Sequence, residues 1–182
     1  MSRFNSIHAT SAMNHDPFLT EMRTERLHLA QLSSSDAPEL YALTNDDTIA
    51  GVVHYLKCPF NLNDALDLIE NADERDEYFI GVRSIMDGAL LAVVGLHHLR
   101  KDGVEISYWV GYQYRRRGYA MEATSHVVKA IHHLHPEVRV IAECRRENSA
   151  SWSLLEKLGF RPTGLPGRRP GREALQAATQ YK

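Results

Sequence analysis

The run VEISYWVGYQYRRRGYAMEATSHVVKAIHHL, residues 104–134, constrains the fold more than any other stretch of the chain. VEISYWV is rich in β-branched and aromatic residues and reads as a strand. Beyond Gly118, the residues Ala120, Ala123, Val127, Ala130, Ile131 and Leu134 fall three and four apart, which is the apolar stripe of a helix. A second strand, VRVIAEC at 138–144, follows, and then SASWSLLEKLG at 149–159, a helix closed by Gly159 in the usual left-handed C-terminal position. GFRPT opens another extended piece. This half of the chain is therefore β-α-β-α-β.

The first half is organised differently. In TERLHLAQLS, Leu27, Leu29 and Gln31 alternate with Arg26, His28 and Ala30 as in a first strand. In SSSDAPELYALT, Asp36 is expected to cap a helix, with Glu39 completing a capping box. CPFNLNDALDLIENADER sets Leu62, Ala65, Leu66 and Ile69 on one helical face. YFIGVRS, LLAVVGLHHL and VEISYWV are separated by the turn signals Asp87-Gly88 and Lys101-Asp102-Gly103, which predicts an antiparallel meander. A meander followed by β-α-β units predicts an α/β (mixed α+β) domain, a mixed sheet with helices over its faces. One domain over 21–182 fits the length. Residues 1–20, polar and without apolar period, read as a flexible arm.

Charge narrows the function. Net charge is −2, so Arg115, Arg116 and Arg117 are a local feature that suits a local anionic ligand, not part of a basic coat for nucleic acid. No apolar run long enough to span a membrane is present. Cys58 and Cys144 make no disulfide framework, and a reducing cytoplasm is expected.

A strand that ends in arginines, a glycine and a helix start has the parts of a pyrophosphate cradle. Unpaired amides and the positive dipole end face the anion, Gly118 lets it approach the backbone, and Ala120 keeps the next turn small. A solvated basic cluster before a helix is the plainer alternative. Neither the Gly-Lys-Ser/Thr of a Walker loop nor the three-glycine dinucleotide fingerprint is present.

Arg115-Arg116-Arg117-Gly118-Tyr119-Ala120 resembles the Arg/Gln-x-x-Gly-x-Gly/Ala signature of the GCN5-related N-acetyltransferases. RRENSASWSLLEKLGF, with Asn148, Ser151 and Gly159-Phe160, resembles a second element of that family. The branch it looks most like acetylates the N-termini of ribosomal proteins. The resemblance implies a sheet splayed between two parallel strands, EISYWV and VRVIAEC, with acetyl-CoA in the gap. It implies that the backbone of Trp109, Val110 and Gly111 pairs with pantetheine. The amides of Arg116, Arg117, Gly118, Tyr119 and Ala120, with Arg115, would hold the pyrophosphate. Asn148 and Ser151 would lie near the thioester, although Asn148 and Ser149 also suit plain helix capping.

Amine acetylation needs a base for the ammonium and a donor for the leaving thiolate. Glu105 is the first candidate base, and His97 or His98 could relay the proton. Leu155 stands where many relatives carry an acidic tyrosine, which leaves Ser151 as the donor, while Tyr108 and Tyr119 are expected to pack or to cover the cofactor. His132, His133 and His135 lack metal-site spacing and read as surface histidines, so no metal is expected. Cys144 reads as a buried packing thiol. Arg168, Arg169 and Arg172 read as a solvated loop, or as attraction for an acidic acceptor. REALQAATQYK has helix-forming composition where the family has a strand, which a second subunit could complete in a homodimer. The expected acceptor is a protein N-terminal amine. A polyamine or aminoglycoside, or a non-catalytic acyl-CoA sensor, is the alternative.

Overall fold

A computed structural model describes residues 21–99 and 103–177 of the 182-residue chain; the expected arm, residues 1–20, lies outside them. Eight strands form one sheet: β1 (Glu21–Arg23), β2 (Leu27–Gln31), β3 (Glu77–Ser84), β4 (Leu90–Leu99), β5 (Gly103–Val110), β6 (Val140–Cys144), β7 (Phe160–Pro166) and β8 (Glu173–Ala177). The helices are α1 (Ala37–Thr44), α2 (Asp47–Ala50), α3 (Leu62–Glu70), α4 (Tyr119–Leu134) and α5 (Ser149–Lys157). Strand order is β1-β2-β3-β4-β5-β6-β8-β7. Every neighbouring pair is antiparallel except β5 and β6. Among the described residues no helix is long and apolar enough to cross a membrane.

Alternation along the strands builds a core on each face. On one, Ile106, Val104, Leu96, Leu29 and Leu27 pack against Ala123, Val127, Val128 and Ile131 of α4 and Leu155 of α5. On the other, Trp109, Val93 and Phe79 pack against Leu40 and Leu43 of α1 and Ala65 and Leu68 of α3. Burying each large apolar side chain in such a core contributes roughly 1.5–3 kcal/mol. Of the α4 stripe expected from spacing, Ala123, Val127 and Ile131 are buried and Ala120, Ala130 and Leu134 partly so, with Thr124 and Val128 completing the buried face.

Three local expectations are corrected and one open conflict is resolved. Gln31 is exposed, and the buried residue at this strand end is Leu32. Leu62 is exposed because the buried face of α3 is Asp64, Ala65 and Leu68. Asp36 stands at the start of α1 but its side chain caps nothing there. Its carboxylate accepts from the Ser33 amide, 2.8 Å, closing the short helical turn before α1, and pairs with Arg83 at 2.5 Å. The segment 173–177 is a strand within the same chain, because β6 on one side and β7 on the other offer it ladders that outweigh its helical propensity. Residues 178–182 lie outside the described residues.

Candidate active site

Strands β5 and β6 part almost as soon as they meet. Val104 pairs with Val140 and Glu105 with Ile141, and no further rung joins them, although β5 continues to Val110 and β6 to Cys144. The sheet is therefore open between these strands at their carboxyl ends, the place where ligands settle in open α/β sheets. Val104 N–H donates to Arg139 and Gly111 N–H to Leu91 on β4. By alternation, Tyr108 and Val110 turn their backbone groups into the opening, whereas those of Trp109 and Gly111 face β4. The Trp109 side chain is buried and donates Nε1–H to Thr44 Oγ1, 3.0 Å.

The arginine turn sits at the end of this opening. Arg116 has φ +61° and Gly118 φ +83°, both left-handed. No side chain caps α4, whose first internal bond runs from Glu122 N–H to the Gly118 carbonyl. The amides of Tyr119, Ala120 and Met121 thus have no helical acceptor and face outward beside an exposed glycine. A Cβ on Gly118 would meet only Arg26 Nη2, at 3.4 Å. Arg116 and Arg117 extend exposed side chains here. Arg115 serves the fold instead: Nε donates to the Val110 carbonyl, 3.3 Å, Nη2 to Thr48 Oγ1, 2.8 Å, and its guanidinium lies over Tyr112.

Arg26 is the residue that sequence reasoning overlooked. Nη1 donates to the Arg117 carbonyl, 3.2 Å, Nε to Glu122 Oε2, 2.7 Å, and the guanidinium covers Tyr119 at 5.0 Å. Turning the Arg117 carbonyl toward Arg26 leaves the amides of the turn facing the other way. A residue in the bend before β2, 91 positions upstream, carries no local sign of this task.

At α5, Asn148 Oδ1 accepts from Ser151 N–H, 3.2 Å, so the capping role is real. Ser151 Oγ lies 2.8 Å from Tyr108 Oη. Burial pushes the Tyr108 phenol well above its usual value, keeping it protonated. Cys144 beside them is buried, and burial raises its thiol above the ordinary range. This pair is a hydroxyl donor at the edge of the opening.

The opposite face of β5 carries the other polar group. Glu105 is 3% exposed, and both its oxygens accept from Arg169: Oε1 from Nη1, and Oε2 from Nη2 at 3.1 Å. Arg169 also pairs with Glu143 at 3.0 Å. Two parallel guanidinium bonds take one acceptor site on each carboxylate oxygen and fix the orientation of the group. His97 is 6% exposed and stands on one rung between Glu77 of β3 and Glu105 of β5. Its Nδ1 is 3.0 Å from Glu77 Oε1 and its Nε2 2.8 Å from Ser107 Oγ. The His98 side chain lies outside the described residues.

The loop arginines are not simply solvated. Arg169 and Arg172 are partly buried, and Arg172 donates to the carbonyls of Glu143 and Val52, tying the segment after α2 to the sheet. That segment brings in His54 and Tyr55, neither singled out by sequence. Although His54 is exposed, local desolvation and then the charges of Arg169 and Arg172 push its pKa down to about 4. His132 is half-buried, unlike the surface residue expected, and burial lowers its pKa. A separate depression of about 260 Å³ lies between β1 and α4, lined by Met22, His126 and His133, four strands from the opening.

A sequence profile described as an acetyltransferase (GNAT) domain matches residues 26–161. No curated protein matches the chain. Solved structures that it resembles include a GNAT-family acetyltransferase from Bacillus anthracis, 20% identical, TM-score 0.76, covering 87% of this chain and 98% of that one. The microcin C7 self-immunity acetyltransferase MccE, in complex with acetyl-CoA and AMP, is 18% identical, TM-score 0.69, with 85% and 93% covered. RimL, the ribosomal L7/L12 alpha-N-protein acetyltransferase in complex with coenzyme A, is 12% identical, TM-score 0.73, with 84% and 94% covered.

Proposed function

The chain belongs to the GNAT acetyltransferase family and is an acyltransferase, and from that premise we propose that it moves an acetyl group from acetyl-CoA to a primary amine, with a protein N-terminus as acceptor. The observation that carries this reading is the uncapped, left-handed turn at Arg116–Gly118 beside the parting of β5 and β6. It fits a diphosphate: three outward amides, a positive helix end, exposed Arg116 and Arg117, and a glycine whose missing Cβ would meet only the Arg26 guanidinium. Tyr108 and Val110 offer the pantetheine arm a strand edge, which Trp109 and Gly111 flank. Asn148 and Ser151 stand at the thioester end.

Acetyl-CoA supplies the activated acetyl thioester. The protein's part is to align the amine, remove a proton from its ammonium form and give one to the departing sulfur. Ser151 donates to that sulfur, backed by the protonated Tyr108. Glu105 and His97 line the acceptor side, and because Arg169 holds Glu105, His97 is the better base of the two. Glu105 then fixes Arg169 and the loop that walls the acceptor.

The acceptor is tested with a panel of peptides of differing N-terminal residue, polyamines and aminoglycosides, read by mass spectrometry. Acetylated peptide N-termini support the proposal. Modification of polyamines or aminoglycosides alone assigns the small-molecule alternative, and acetyl-CoA binding without transfer to any amine assigns a sensor.

A further inference from the structure

We propose that Tyr55, Ser107, His97 and Glu77 form a proton relay, in which the Ser107 hydroxyl takes the proton from the acceptor ammonium and Glu77 positions His97. The inference rests on the reading of the chain as an amine acetyltransferase. The groups form one hydrogen-bonded line: Tyr55 Oη to Ser107 Oγ, 2.8 Å; Ser107 Oγ to His97 Nε2, 2.8 Å; His97 Nδ1 to Glu77 Oε1, 3.0 Å.

The direction of each bond follows from donor chemistry. Burial raises the Tyr55 phenol, which stays protonated and donates to Ser107. Glu77 is partly buried, which opposes ionisation, but bonds from His97 and from Arg75, 3.0 Å, outweigh that and hold the carboxyl below its usual range. A carboxylate only accepts, so Nδ1 carries a ring proton; in the neutral ring Nε2 then accepts from the Ser107 hydroxyl, which has the Gly95 carbonyl, 3.4 Å away, as its other acceptor. All three bonds point the same way, toward Glu77.

The fold makes deliberate room for this line. Glu77 and His97 oppose each other on β3 and β4, and two rungs on, on the same face, Phe79, Gly95 and Ser107 stand side by side. A Cβ on Gly95 would lie 2.6 Å from Ser107 Oγ and 3.2 Å from His97 Nε2. The missing side chain lets the His97 ring cross diagonally to Ser107, which is half-buried and two residues beyond the last β5–β6 rung.

The protons balance as follows. Ser107 Oγ receives a proton from the ammonium while its own passes to His97 Nε2, leaving a neutral amine and an imidazolium opposite the Glu77 carboxylate. The amine nitrogen gives a second proton to water as the new C–N bond forms and the C–S bond breaks. The departing sulfur takes one from the Ser151–Tyr108 pair, which regains it from water, and His97 returns its proton to water. The charged and titratable groups facing His97 are Glu77 and, through it, Arg75; Glu105 with Arg169; and His54 and Tyr55 on the segment above.

Two measurements test the relay. Long-range proton–nitrogen spectra of the histidine-labelled free protein, with His97 assigned by His97→Gln, are expected to show the Nδ1–H tautomer, the minor form of free imidazole. Ser107→Ala is expected to lower kcat about 10²-fold with acetyl-CoA affinity unchanged, and Glu77→Gln and Tyr55→Phe to lower it about tenfold or more. A proton on Nε2, or Ser107→Ala at full kcat in a wild type that acetylates amines, overturns the relay alone. A wild type that binds acetyl-CoA and acetylates nothing overturns relay and function together.

Discussion

Gly118 and Gly159 hold almost the same conformation, φ +83° and +81°, one before α4 and the other after α5, and this permits a controlled experiment. Alanine at either position places a Cβ in the left-handed region at a cost of roughly 1–2 kcal/mol. Neither Cβ meets a hard obstacle, since Gly159 has nothing within 4 Å and Gly118 only Arg26 Nη2 at 3.4 Å. The two variants should therefore lose the same stability, about 2–8 °C in Tm at ~2–4 °C per kcal/mol for a chain of this size. Binding should separate them. At Gly118 the methyl group stands where the diphosphate would meet the amides of the turn, and each charge-assisted bond lost costs about 1.5–3 kcal/mol, or 10- to 150-fold in Kd. Gly159 lies beyond the far end of α5, about 16 Å from Asn148 at ~1.5 Å per residue, and its alanine variant should bind as wild type. Calorimetric titration with acetyl-CoA alongside thermal melts reads both quantities. Equal affinity loss in both variants, or wild-type affinity in Gly118→Ala, refutes the assignment of the turn to the phosphates.

Arg169→Ala strips the partner from Glu105 and Glu143, whose side chains are each 3% exposed, and is expected to cost about 3–5 kcal/mol in urea melts. Arg26→Ala is expected to weaken acetyl-CoA binding about tenfold while shifting Tm by only a few degrees, because it frees the Arg117 carbonyl but leaves the core intact. Ser151→Ala should lower kcat about 10²-fold and Tyr108→Phe less, with acetyl-CoA affinity within a few-fold of wild type in stopped-flow binding. Acid melts should show stability falling below about pH 4.5. The carboxyls of Asp36, Glu77 and Glu122 are all held below their ordinary values of 3.8, 4.5 and 4.5, outweighing the burial that opposes this. Their contribution is complete above those values and is lost as pH falls through the lower folded ones.

Local chemistry was legible and long-range partnership was not. The strand, arginine turn and α4 were readable because three neighbouring signals agree within 31 residues: β-formers, a glycine, and a three–four apolar period. The left-handed Gly159 was readable for the same reason. Arg26 was invisible because its partners, Arg117 and Glu122, lie 91 and 96 residues away, so no window holds both. Glu77, Ser107 and Tyr55 look like ordinary strand and loop residues until the register sets Glu77, His97 and Glu105 on one rung. Glu105 was identifiable as a carboxylate on the right strand, but not as Arg169's partner, because that pairing depends on how the loop before β8 returns over the sheet. The β8 segment shows the converse: helical propensity was plain and two flanking ladders overrode it.

The most direct test follows the acetyl group itself. Isotopically labelled acetyl-CoA is incubated with the enzyme and an amine acceptor, and free thiol and labelled amide are counted together. Equal amounts of each, both absent without acceptor, are the expected result. Thiol release with no label on any amine nitrogen, or no release from a folded enzyme that binds acetyl-CoA, would contradict it.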